Sequence, residues 1–348
     1  MQRSLLSLSV LLAGVLASSG TAAQVPTSPL LVPLDSVAVA LVRAAPAVAA
    51  VWPPYWGVGQ GILLLAPDSA ALLLSGHAPP PEYTPVSPAT ASPELVGRAY
   101  RRGSYPSEFT RNRFSLSHPL GSDTVPALPV KSKSLPNVLE FLFHEAFHGY
   151  QSRGNFTPIA EDTHRTVWGQ RLVDSAQTAS SEFAAGVDAE RRLLLSALGA
   201  GIRADSLETI LQLYTALRQR RTGGATAVRD VERSMERLEG SAEFVGCMGT
   251  AAALGGGDAR VRECIADELR RPLADFPAMP EADARLMRWR LYGTGAALCY
   301  LISRLDPTYD WRPLLERGMH LDRLLVEAMG GQWPRERTQH QATGGDQN

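Results

Sequence analysis

Hydrophobic patterning divides the chain into two parts. Up to residue 134, apolar residues come in short runs cut by Pro and Gly; from Gln170 onward they recur at helical spacing almost to the end. In the first part, Asp35 to Val51 reads as a helix. Gly61-Ile62-Leu63-Leu64-Leu65 and Ala70-Ala71-Leu72-Leu73-Leu74 flank Pro67-Asp68-Ser69 and read as a hairpin. Further strands are expected around Phe114 to Leu116 and Thr124 to Val130. In the second part, helices are expected over Ala176 to Leu198, Ser206 to Arg220, Ala227 to Ala253, Val261 to Arg270, Ala282 to Arg304 and Trp311 to Met329, with Gly or Pro near most boundaries. Between them, Ser134 offers an N-cap and Pro136 a first turn for one more apolar helix. The fold class predicted is α+β: a small mixed, sheet-containing region over 24–134, then a mainly helical body over 135–334. The strand entering the central helix is expected to be an edge strand on the substrate side, able to hold an extended peptide or simply to pack.

The two ends carry their own signals. Arg3 gives a positive n-region, Leu5 to Leu16 an apolar core, and Ser18 to Ala23 small residues for cleavage before Gln24. That apolar run is shorter than the ~20 residues of a membrane span, and no Cys follows it. Residues 1–23 are therefore expected to be a signal peptide and the mature chain to be secreted or periplasmic, without a stable membrane span. The polar tail 335–348 is expected to be disordered.

Charge narrows the function classes. Thirty-four Lys and Arg face 35 Asp and Glu, so no basic field points to nucleic acid. The three cysteines, Cys247, Cys264 and Cys299, lack C-x-x-C spacing, which makes them poor zinc ligands. In an exported chain the neighbours Cys247 and Cys264 are the pair most open to oxidation.

The chemistry is concentrated in Phe141 to Tyr150, which contains His144-Glu145-Ala146-Phe147-His148, an H-E-x-x-H pattern. Residues four apart on a helix share a face, so both imidazoles can turn to one metal ion. Glu145 then lies beside the metal, where it can take a proton from water. A catalytic zinc needs three protein ligands. Gln151 and Gly154 stand where a metzincin would have Gly and His, so that class is excluded. The third-ligand candidates are His164, Glu161, Glu182, Glu190, Glu239 and Glu243. Glu239 is favoured because Glu239-Gly240-Ser241-Ala242-Glu243 sets two carboxylates one turn apart with small residues between. One can bind the metal while Glu243 accepts the ring N–H of a ligating histidine; Glu182 is the reserve. Upstream, Glu232 and Glu236 with Arg229, Arg233 and Arg237 read as a solvated, ion-paired face.

H-E-x-x-H with a later helical Glu resembles the gluzincins, the zinc-peptidase clan of thermolysin and the one-zinc aminopeptidases. Leu238-Glu239-Gly240-Ser241-Ala242 resembles the N-E-G-F-A motif of those aminopeptidases, and Tyr292-Gly293-Thr294-Gly295-Ala296 their Y-x-x-G-A context. The resemblance covers the core of 137–305. It implies Zn²⁺ held by His144, His148 and Glu239, with Tyr292 stabilising the oxyanion; Tyr150 and His164 are alternatives for that donor. The chain departs from the aminopeptidases in two ways. Glu239 follows His148 by about ninety residues rather than fewer than two dozen, and there is no G-A-M-E-N segment. The expected activity is hydrolysis of peptide or protein substrates. The rivals are an exported zinc-binding scaffold, an inactive peptidase fold, or a zinc hydrolase of non-peptide amides.

Overall fold

The structure is a computed structural model. It describes residues 32–330 except 54, 56–60, 67–69, 77, 104–114, 121–122, 133, 160–161, 163–180, 224–225 and 272–281. The signal-peptide segment 1–23 and the tail 335–348 therefore lie outside the described residues, as do Glu161 and His164.

The first part folds as an α-helix followed by a sheet: α1 (Leu34–Val51), β1 (Ile62–Leu65), β2 (Ala71–Leu74), β3 (Thr84–Pro85), β4 (Ala99–Arg102), β5 (Ser115–Leu120) and β6 (Asp123–Pro129). The spatial order is β3-β4-β2-β1-β6-β5, with β1 and β6 parallel and the other neighbours antiparallel. The hairpin of β1 and β2 forms as expected, pairing Ile62 with Leu74 and Leu65 with Ala71. Its continuous leucine runs follow from burial on both faces. Ile62, Leu64, Leu72 and Leu74 join the main core, while Leu63, Leu65, Ala71 and Leu73 face the opposite way into a smaller cluster with Tyr83, Val125 and Ala127.

One expectation for the sheet fails. β6 is paired on both sides, with β1 and with β5, so it is not an edge strand. The edges are β3 and β5. The reason is long-range: the parallel partner of β6 lies about sixty residues upstream in β1, a pairing that no local pattern announces.

The second part begins with α2 (Leu135–Tyr150), which ends in a π turn, Gln151–Asn155. Ser134 occupies the N-cap position, but its hydroxyl donates to Asn137 Oδ1 at 3.1 Å rather than receiving a backbone N–H. Then follow α3 (Ser181–Ala197), α4 (Ala204–Thr222), α5 (Thr226–Met235), a π turn Glu236–Gly240 running straight into α6 (Ser241–Leu254), α7 (Gly257–Arg270), α8 (Ala282–Leu305), α9 (Arg312–Glu316) and α10 (Leu321–Ala328). The expected helix from Trp311 to Met329 is two, because Gly318 at φ +102° takes a left-handed conformation between them. α2 packs chiefly on α6, and α6 also meets α1, α8 and α7.

Among the described residues, α1 is the one helix long and apolar enough to cross a bilayer. Here Val37, Ala38, Leu41, Ala44 and Val48 are buried in the core. An aromatic cluster joins its end to α2: Trp52 and Tyr55 pack on Phe147 at centroid distances of 4.8 and 5.0 Å. Trp52 Nε1 and Tyr150 Oη both donate to Glu316 Oε1 at 2.7 Å.

The acidic and basic stripe ahead of Glu239 is not solvated. Glu232, Glu236, Arg233 and Arg237 are all buried. Arg218 of α4 donates to Glu236 at 2.7 and 2.8 Å, and Arg221 bridges Glu190 and Glu232 at 2.6 to 2.9 Å. Arg290 of α8 completes the ring around Glu232. Burial pushes the Glu232 carboxyl up, but Arg290 and Arg221 outweigh it and hold the carboxyl well below its ordinary value. Arg237 lies over the Phe156 ring and donates to three backbone carbonyls, those of Leu315, Thr157 and Glu316. The stripe looked exposed because its partners lie on other elements: Arg218 and Arg221 on α4, Arg290 on α8 and Asp322 on α10. Such buried pairs are costly to break singly. Arg221→Met should therefore destabilise the fold by about 3–5 kcal/mol, read as a lower urea midpoint.

Candidate metal centre

The site is assembled by helices that approach closely because glycines line their contacts. A Cβ on Gly249 of α6 would collide with the Phe143 ring of α2, and one on Gly246 would lie 3.1 Å from the Glu140 carbonyl oxygen. This crossing brings Glu243, one turn earlier, against His144. A second contact sets α8 on the π turn. A Cβ on Gly240 would overlap the Gly295 backbone, and one on Gly295 would lie 2.6 Å from Glu236 O. A π turn adds a residue to the helical register, about 100° of rotation at 3.6 residues per turn. It separates the arginine-bound Glu236 from the site-facing Glu239. Tyr292, one turn before Gly295, thereby stacks on His144, with ring centroids 5.5 Å apart and planes 6° apart.

Hydrogen bonds fix the tautomers of both histidines. His144 Nδ1 lies 2.9 Å from Glu243 Oε2, a carboxylate that can only accept, so Nδ1 donates. His148 Nδ1 lies 2.7 Å from Gln151 Oε1. Gln151 Nε2 donates to Leu238 O at 2.8 Å and Ser241 Oγ at 3.1 Å, which turns the amide oxygen toward the ring. Both Nε2 lone pairs consequently face inward. They are 3.0 Å apart, and Glu239 Oε2 is 2.9 Å from His148 Nε2 and 3.6 Å from His144 Nε2. Three donor atoms from buried or half-buried side chains thus converge on one point, an arrangement that a cation, whether a proton or a metal ion, satisfies. Burial pushes His144 down. Hydrogen bonds to Glu239 and Glu243, with the charges of Glu243 and Glu145, outweigh it and raise the imidazole well above its usual value. The field at this point attracts positive charge. His144, His148 and Glu239 are able to hold a metal ion.

Behind His144 lies a second acidic group, Glu140, Glu243 and Glu268. Burial and then the charge of Glu243 push Glu140 up to about 7 and Glu268 up to about 8. Arg271 pairs with Glu268 at 2.5 Å. The disulfide Cys247–Cys264 ties α6, which carries Glu243, to α7, which carries Glu268.

Of the residues singled out from the sequence, the structure brings together His144, His148, Glu239, Glu243 and Tyr292. Glu145 is half-buried on the same helix, close enough for its charge to act on His144. Glu182 is exposed in the first turn of α3 and is not among the converging ligands. Glu190 is taken by Arg221. Tyr150 points into the aromatic cluster and donates to Glu316, so it is no oxyanion donor. Sequence reasoning missed Gln151 as the residue that orients His148; its place three residues on, along the same helical face, was the available signal. It also missed Glu140, one turn before His144.

No protein-family model matches the chain, and no curated protein or solved structure is significantly similar to it.

Elemental analysis of the purified chain should find one metal ion per molecule. His148→Ala and Glu239→Ala should lose it, and Glu182→Ala should keep it. Glu243→Gln still offers an acceptor oxygen but no charge, and should weaken metal binding by about 10–100-fold in a chelator competition.

Proposed function

We propose that the chain is an exported zinc metallopeptidase of the gluzincin type, hydrolysing peptide bonds. The observation that carries this reading is the convergence of His144, His148 and Glu239, with Glu145 beside them and Tyr292 stacked over His144. Two imidazole nitrogens and one carboxylate are the donor set of a catalytic rather than a structural zinc. Zinc so held lowers the pKa of water toward ~7 and polarises a carbonyl.

The chain's own residues supply the rest. Glu145 takes the proton of the attacking water and passes it to the leaving amine. The Tyr292 hydroxyl donates to the oxygen on which charge develops. Glu243 and Gln151 hold the two imidazoles in the tautomer that leaves Nε2 free. The Cys247–Cys264 disulfide agrees with an oxidising compartment, the destination that the N-terminal signal implies. A metal site that only stabilises a scaffold would have no use for a carboxylate at position 145.

A quenched-fluorescence peptide library tests the reading. The metal-loaded chain should cleave peptides. Glu145→Gln should lose about 10²–10⁴-fold in kcat and Tyr292→Phe about 10²–10³-fold, both with full metal content. A chain that binds one zinc and cleaves no member of the library would point to the scaffold.

A further inference from the structure

On the far side of α6 from the metal centre, a cavity of about 540 Å³ opens between α1, α6, α7, α8 and α9. That volume lies within the range of small-molecule sites, about 300–1,000 Å³. Val51, Phe244, Met248 and Val261 give it an apolar wall. Asp258, Arg262, Arg304 and Arg312 supply the charge at its lining.

These charges do not balance. Asp258, the only carboxylate of the lining among the described residues, is occupied: Arg262 pairs with it and Tyr300 Oη donates to it at 2.7 Å. Among the described residues, Arg304 makes a single long hydrogen bond, Nη2 to Ile202 O at 3.4 Å, and its Nη1 is buried without a partner. Arg312 lies over the Trp311 ring at 4.8 Å, with its Nε buried and unpartnered. Among the described residues it has no hydrogen bond and no ion pair. Burial holds its guanidinium below the ordinary arginine value. Elsewhere in this chain the buried arginines 218, 221, 233 and 237 are each paired with a carboxylate. Arg304 and Arg312, half-buried at this cavity, have no such carboxylate partner among the described residues. The carboxylate whose charge reaches Arg312 is that of exposed Asp310, two residues away, with which it makes no ion pair; a partly buried guanidinium with so little compensation favours an anion beside it.

We infer that this cavity is a binding site for an apolar carboxylate, its carboxylate held by Arg304 and Arg312 and its hydrocarbon body lying against Phe244 and Met248. A guanidinium fork matches a carboxylate geometrically, and the apolar wall excludes small hydrated anions. Two sources offer this chemistry: a free fatty acid and the apolar C-terminal residue of a peptide.

Isothermal titration calorimetry of the full mature chain tests it with four probes: decanoate, decan-1-ol, N-acetyl-leucine and N-acetyl-leucinamide. At least one carboxylate should bind saturably at one per chain, about tenfold or more tighter than its uncharged analogue. Arg312→Met, which keeps the apolar stem, should abolish that margin while leaving the thermal midpoint and metal content unchanged; Arg304→Met serves the same purpose if the first variant is unstable. Binding should persist in His148→Ala, which separates this cavity from the metal centre and from the proposed activity. Tighter binding of decanoate assigns a lipid source, and tighter binding of N-acetyl-leucine a peptide end. Equal affinity for acid and uncharged analogue, or binding unaffected by both arginine variants, would overturn the assignment.

Discussion

Two imidazole lone pairs and a carboxylate oxygen held within 3.6 Å of one another repel unless a positive charge lies among them. Much of the helical body serves to impose that arrangement. α2 supplies the two nitrogens and α6 the carboxylate that holds one of them. The π turn supplies the third donor, and Gln151 fixes the remaining ring through two hydrogen bonds of its own. Each imidazole is thus held at Nδ1, so the freedom that would let the rings turn away is removed. The electrostatic tension at the centre is sustained by satisfied polar contacts around it.

The helix from Thr226 to Leu254 serves two polar networks. Its first half ends in the buried ring of Arg218, Arg221, Glu190, Glu232 and Glu236, and its second half bears Glu239 and Glu243. The helices α3 and α4 lie between the two halves of the site in sequence, and they supply Glu190, Arg218 and Arg221 to this ring. The long separation of His148 from Glu239 is therefore occupied by elements that secure the helix bearing the third donor.

Most of the element pattern was legible in the sequence. The hairpin, α1 and the helical second part announced themselves by period and punctuation, and His144, His148, Glu239 and Glu243 by spacing and by the small residues between the carboxylates. What stayed hidden depended on contacts distant in sequence. The parallel pairing of β1 with β6 made an expected edge strand interior. Arginines from α4 and α8 turned an expected surface into a buried network. Gln151 was visible only as the residue that excluded another zinc class; its role needed the carbonyl of Leu238, 87 residues away. Tyr292 came from a resemblance, and its stacking on His144 could not be read from its own surroundings in the sequence.

The Gly240–Gly295 contact has a further consequence. Backbone meets backbone there, with no side chain between to repack. Any substituent at either position must part α8 from the π turn, and the displacement would reach Glu239 and Tyr292 at once. The third donor of the candidate metal centre and the ring that stacks on His144 are thus mechanically one unit. Selection at this contact cannot adjust the placement of Glu239 and of Tyr292 separately, and a chain that lost one glycine would shift both in a single step.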